Sequence, residues 1–225
     1  MQLFAQLNVQ LHYDLGEVLY GNELANRQRV TTTIENFKAD KWGNTFFFVD
    51  ATLANNSMLD AYAEFAREFQ FWKAPLALHV EYNGGLSNTG SYNDAYLAGG
   101  AWNWANKDFS KTFSLQLLYK YQARQQVGSK HSWQVTAVWG IQFAEGLYTF
   151  CGYMDLWHDN SVKGNLLLSS EPQFWFNLNA LEGVDDDFNL SLGGEVEFSK
   201  GLIWPTNGIN DRFYVVPTLA VKWVF

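Results

Sequence analysis

The sequence predicts an all-β protein, a transmembrane antiparallel β-barrel of about twelve strands in an up-and-down meander. Three observations carry this. The stretch Arg212 to Phe225, RFYVVPTLAVKWVF, divides by parity. Phe213, Val215, Pro217, Leu219, Val221, Trp223 and Phe225 are apolar throughout, whereas Tyr214, Val216, Thr218, Ala220, Lys222 and Val224 mix small, polar and charged groups. A period of two is the strand signature. The same alternation returns at the other end of the chain. There Leu3, Ala5, Leu7, Val9, Leu11, Tyr13 and Leu15 interleave with Gln2, Phe4, Gln6, Asn8, Gln10, His12 and Asp14. It runs longer than a typical soluble strand and suits a tilted membrane strand. Finally, the chain is 17% aromatic, with 10 Trp, 11 Tyr and 18 Phe, as aromatic girdles at two interfaces require.

At 225 residues the chain fits one barrel domain, residues 1–225. Its mean hydropathy of -0.20 reads as soluble in bulk, but lipid-facing and lumen-facing residues average out in a barrel. No run of about 18 apolar residues exists, so any insertion must be as a closed sheet, which satisfies its own backbone in lipid. The net charge of -8 and a pI near 4.9 argue against a nucleic-acid partner. A lone Cys151 forms no internal disulfide. Met1 is followed by no basic and apolar leader, so the sequence carries no signal peptide, and an exported protein is expected here in mature form.

Taken in order, Gly16 to Asn26 reads as polar and turn-like, and Gln28 to Ala39 as a Thr-rich strand. Asp40 to Gly43 turns the chain into Asn44 to Leu53, and Asn55 to Ser57 is a loop. Asp60 to Phe71 fits both periods; the strand reading places Tyr62, Glu64, Ala66, Glu68 and Gln70 on one face. It sends Arg67 outward, which is costly away from an interface. Leu76 to Asn83 alternates cleanly, and Gly84 to Asn93 is a loop. Ala95 to Ala105 is a strand whose inner face is undetermined. Thr112 to Ala123, His131 to Phe143, Leu147 to His158, Leu166 to Leu178 and Phe188 to Phe198 complete the set before the closing strand. Turns after the second, fourth, sixth and eighth strands are short and most others longer, as on the two rims of an outer-membrane barrel.

Several stretches resemble a Tsx-like family of outer-membrane channels, in a branch from Bacteroidota-type bacteria. They are VTTTIENFKADKWGNTFFFVD at Val30 to Asp50, HVEYNGGL at His79 to Leu86, YLAGGAWNW at Tyr96 to Trp104, SEPQFWFNL at Ser170 to Leu178, GVDDDFNLS at Gly183 to Ser191 and PTLAVKWVF at Pro217 to Phe225. The resemblance implies a twelve-stranded barrel related to a nucleoside-specific channel in a bacterial outer membrane. It brings no catalytic motif. A final Phe225 on such a strand resembles the ending by which barrel-assembly machinery recognises outer-membrane proteins.

If the apolar sets face lipid, the opposite sets face the lumen. That places His12, Asp14, Glu35, Asp50, Glu64, Glu68, His79, Glu81, Lys120, Asp155, Glu171, Glu195, Glu197 and Lys222 inside. Carboxylates outnumber cations, so the expected function is passage of neutral or cationic small polar solutes through an acid-lined pore. Inward aromatics, read as Phe4, Trp157, Trp175 and Tyr214, would stack on a base or sugar ring. The plainer alternative is that these polar groups bond one another and fill a narrow barrel. A barrel enzyme acting on lipid or peptide, or a plugged anchor for a partner, are the rival classes. Nucleophilic catalysis needs a base beside Ser or Cys; His79 and Glu81 share a face two residues apart, a spacing that arises constantly by chance, while Cys151 reads as packing. Asp185 to Asp187 lacks calcium-loop spacing and reads as an acidic turn. No catalytic residue, metal or cofactor is expected; the expected partners are the lipid bilayer, small solutes and the assembly machinery.

Overall fold

The computed structural model describes residues 5–27, 29–54, 56–92, 94–126, 128–159, 165–203, 205–206, 208 and 212–225. Gln2, Leu3 and Phe4 of the first expected strand, Gln28 of the second, and the expected loop positions 55, 93, 160–164, 204, 207 and 209–211 lie outside them. Twelve antiparallel strands form a closed barrel. They are β1 (Ala5–Asp14), β2 (Val30–Asp40), β3 (Gly43–Ala54), β4 (Ser57–Phe69), β5 (Leu76–Ser87) and β6 (Ala95–Ala105). Then follow β7 (Lys111–Gln122), β8 (His131–Phe143), β9 (Tyr148–His158), β10 in two halves (Leu166–Ser170 and Gln173–Asn177), β11 (Leu190–Lys200) and β12 (Phe213–Val224). A short Gly90–Ser91 segment folds back on β5.

Each strand pairs with its sequence neighbours, and β1 closes the ring against β12, with Asn8 opposite Val224 and Asp14 opposite Thr218. The two halves of β10 are one strand. Asp155 faces Ser169 and Cys151 faces Gln173 in a single unbroken register, and β11 keeps register with both halves. The gap falls at Pro172, which has no N–H to give the ladder.

The two faces are chemically inverted relative to a soluble barrel. On β1, Gln10 and His12 are 1% and 3% exposed, while Leu11 and Tyr13 between them are 46% and 41% exposed. Polar side chains therefore point in and apolar ones out, and the register carries that parity around the whole ring. On β6 it settles the inner face as Ala95, Leu97, Gly99, Ala101 and Asn103. The ambiguous fourth segment is a strand, with Arg67 outward at the rim. Its guanidinium donates to Asp40 at 2.8 and 2.9 Å and to the Thr45 hydroxyl at 2.9 Å, beside the β2–β3 turn. A rim position removes most of the cost of facing charge toward lipid.

Some boundaries differ from the sequence reading. β4 begins at Ser57, not Asp60, and β11 at Leu190, not Phe188. β5 continues through Gly84 and Gly85 to Ser87, because the glycines leave room for Tyr82 and Tyr92 against the wall. The short-turn rim carries residues 41–42, 70–75, 106–110 and 144–147, but also the longer 178–189, which contains a 3-10 turn at Leu178–Ala180. The opposite rim carries the long connections, with 55–56 as its short exception.

The polar stretch after β1 holds an unexpected element. A five-residue helix α1 (Gly16–Tyr20) and a 3-10 turn (Gly21–Leu24) fold over the long-loop mouth. Leu24, Ile203, Tyr214 and Val216 bury together there, with Tyr20 packed against them. The Thr206 N–H donates to the Glu23 carbonyl at 3.0 Å, tying the two loops. Isolated apolar residues in the polar stretch, Leu24 above all, were the signal for this cap.

Candidate functional site: the barrel lumen

Side chains two apart on a strand share a face, and the inner wall uses this to build ladders. Along β1, Asn8 Nδ2 donates to Glu35 Oε1 at 3.1 Å, Gln10 Nε2 to Asn8 Oδ1 at 2.9 Å, and His12 Nε2 meets Gln10 Oε1 at 2.9 Å. His12 Nδ1 lies 3.0 Å from Thr218 Oγ1 and 3.4 Å from Glu195. Across β4 and β5, His79 sits 3.3 Å from Glu68 and 2.9 Å from Glu81. Asn44 and Asn103 also donate to Glu68, at 2.8 and 2.6 Å. Sequence spacing displays His79 with Glu81; the opposition of Glu68 and His79 exists only in the register.

The cations are held against rings. Lys120 Nζ lies 4.5 Å from the Trp157 ring centroid and donates to Gln134 at 2.7 Å. Lys222 Nζ lies 4.2 Å from the Trp175 centroid. A ring face beneath an ammonium is an attractive contact that takes little space from the pore. Around them stand two acidic sectors. Glu64, which accepts the Tyr62 hydroxyl at 2.7 Å, shares its surroundings with Glu81, Asp155 and Lys120, and Asp155 accepts Thr136 at 2.5 Å. Glu171 lies among Glu195, Glu197 and Asp50. Asp50 accepts Thr33 at 2.5 Å, and Glu195 accepts Gln173 at 3.1 Å.

Asp14 stands at the long-loop mouth, where Arg27 donates to it at 2.6 Å and to Glu197 at 2.5 Å. Each described lumen candidate from the sequence projects inward by register. The aromatics differ from expectation. Trp175 and Tyr214 point inward but are 0% and 1% exposed, the first under Lys222 and beside His12, the second inside the loop cap. Neither offers a free face. Trp157 lies beneath Lys120, and Phe4 is outside the described residues.

Of three further rings that line the lumen, Tyr62 shares the face of Glu64 and Glu68 in the sequence reading, whereas Phe46 and Phe48 do not follow from it. Phe46, Phe48 and Tyr62 project inward, with centroid separations of 6.1 Å and 6.0 Å, and Tyr62 lies 6.2 Å from Tyr92 at the mouth. The run Phe46-Phe47-Phe48 hides their parity, because aromatics occupy both faces. Inward Val138 keeps 38% of its surface, whereas Asn83 and Gln116, also inward, are buried, each with a carbonyl oxygen that has no hydrogen-bond partner among the described residues. Phe225 donates its N–H to the Leu7 carbonyl at 2.9 Å, with its ring 69% exposed at the short-turn rim.

Residues 5–225 match the family model described as "Domain of unknown function (DUF5020)". No curated protein matches the sequence. Among solved structures, the NanC porin in a rhombohedral crystal form aligns with a TM-score of 0.61 at 13% identity, covering 96% of this chain and 98% of that one. The KdgM porin in complex with disordered oligogalacturonate aligns with a TM-score of 0.53 at 10% identity, covering 98% and 99%. At such identities the likeness is one of fold.

Proposed function

The chain belongs to the DUF5020 family, and from that premise we propose that it is a passive outer-membrane channel for small polar solutes. The observation that carries this is the inverted wall: apolar side chains outside and an acid-dominated lumen inside. An apolar outer surface carried around the whole ring belongs in a bilayer, and polar groups facing inward are served by water and by one another. The long-loop rim is the extracellular one and the short-turn rim the periplasmic one.

The charge of the lumen sets the solute class. Carboxylates from β2, β3, β4, β5, β9 and β11 face a few cations that are already stacked on rings, so field lines in the pore favour cations and neutral molecules. The oligogalacturonate held by KdgM is a chain of carboxylated sugars, which such a wall opposes. Nucleosides are the specific solutes we assign, from the resemblance of the quoted stretches to the Tsx-like family. They bring amino and hydroxyl donors for the carboxylates and a flat ring for the aromatics. Phe225, exposed beside the closing seam, is the residue we assign to the assembly machinery.

The test is conductance of the purified protein in a planar bilayer under a potassium chloride gradient. The expected result is discrete openings with a cation-selective reversal potential that falls toward zero in Glu64→Gln and Asp155→Asn. Adenosine and thymidine reduce the current where glucuronate does not. Anion selectivity, or folded protein without conductance, overturns the proposal.

A further inference from the structure

At the long-loop mouth lies a half-open cavity of about 380 Å³, lined by Asn26, Arg27, Asp60, Tyr92 and Glu197 on its polar side and by Leu202, over the buried Leu24 and Ile203, on its apolar side. Its size falls in the range of small-molecule sites, roughly 300–1,000 Å³. Arg27 is committed to Asp14 and Glu197, so its charge is already answered and the remaining field at the cavity is negative. The Tyr92 hydroxyl donates to the Asp60 carboxylate, and burial together with that bond pushes it up to about 12. Its ring is 36% exposed. Tyr92 is also the outermost member of the ring series Tyr92, Tyr62, Phe48 and Phe46, whose neighbouring centroids lie 6.2, 6.0 and 6.1 Å apart.

We propose that this cavity is the entry binding site of the channel for a neutral, hydroxyl-bearing ring solute, and that the four rings form the path along which it moves inward. The inference rests on the channel reading. Three features converge on that ligand chemistry. Carboxylates accept hydroxyl and amino donors and repel anions. The apolar edge at Leu202 and the Tyr92 ring take the flat face of a base or the C–H face of a sugar. Rings about 6 Å apart let a solute reach the next contact as it leaves the last, so no step strands it unstacked. Nucleosides and glycosides share this chemistry.

The experiment pairs two readouts on the purified protein in detergent and in planar bilayers. Titration calorimetry measures binding of uridine and of methyl glucoside; the bilayer measures current block by each, added to either side. The expected result is binding with one stoichiometric site, and block from the long-loop side that weakens roughly ten-fold in Tyr92→Ala. Tyr92→Phe retains most of the block and guards against misfolding, and Tyr96→Ala, on the outer face, is unchanged. A stronger effect of uridine assigns nucleosides; a stronger effect of the glucoside assigns sugars. Conductance without binding or block by either solute overturns this inference and leaves the channel intact. Binding without conductance overturns the channel and leaves the site. Equal block of wild type and Tyr92→Ala removes the cavity from the path.

Discussion

Gly152 lies directly across the ladder from Pro172, in the register set by Met154 opposite Ser170 and Cys151 opposite Gln173. A β-carbon at Gly152 would stand 2.5 Å from the Glu171 carbonyl oxygen and 2.8 Å from Pro172 Cα, on a backbone with φ of 152°. The break in β10 is thus accommodated by a residue that has no side chain.

Gly152→Ala is therefore expected to destabilise the barrel by about 2 kcal/mol, the order of a steric clash joined to an unfavourable φ. Gly100→Ala is the control, since its nearest neighbour would be 3.9 Å away. Urea midpoints from heat-modifiable gel mobility compare the two. Equal midpoints would show that the wall at Pro172 yields.

Leu117 is 64% exposed on the outer face of β7. Leu117→Arg is expected to cost roughly 2–4 kcal/mol if that face meets the bilayer centre, whereas Arg67 at the rim is tolerated. Folding titrations in lipid vesicles measure it. A neutral result would sink the lipid-facing assignment of this wall.

Arg27 joins the loop after β1 to two strands of the wall through Asp14 and Glu197. Arg27→Gln is expected to loosen the cap and remove a positive charge from the mouth, raising unit conductance and cation preference together. The Leu24 and Val216 packing keeps the loop attached. Unchanged conductance and reversal potential would mean that current bypasses the cap.

Glu23 is held below its ordinary value of 4.5 by the hydrogen bond from the Tyr214 hydroxyl, and further by Arg212, against a smaller opposing effect of burial. A depressed carboxylate stabilises above its unfolded value and loses that contribution as pH falls through its folded one. The cap is thus expected to lose amide protection, measured against intrinsic exchange at each pH, below about pH 4.5, and Glu23→Gln to abolish that loss. Hydrogen exchange of residues 16–24 from pH 7 to pH 3 checks it; a wild-type profile in the variant would rule Glu23 out.

Legibility in the sequence followed periodicity. β1 and β12 alternate so strictly that inner and outer faces follow at once, and the inward positions of His12, Glu64, Asp155 and Lys222 came from parity alone. What parity does not hold is contact between strands. Glu68 with His79, Lys120 over Trp157 and Lys222 over Trp175 depend on register and shear, which no single segment encodes. Parity also fails where one chemistry fills both faces. Phe46 and Phe48 were concealed by Phe47, and β6 by its alanines and glycines. Trp175 and Tyr214 show a further gap, since facing inward does not mean being reachable. The loop cap lay beyond periodicity altogether, because its order comes from Leu24 meeting Ile203, Tyr214 and Val216 from distant parts of the chain.

The pairing of β1 with β12 has a kinetic consequence. The two ends of the hydrogen-bonded circuit are separated by nearly the whole described sequence, so the seam, from Asn8 opposite Val224 to Asp14 opposite Thr218, is the strand pairing with the largest loop to close. Local hairpins such as β2–β3 can zip early at small entropic cost, but the ring gains its final ladder only after every intervening strand is in place. Until then two bare edges persist, each a template for pairing with another chain. Folding of this protein is thus governed by one late, long-range event, and its aggregation risk is concentrated in the interval before it.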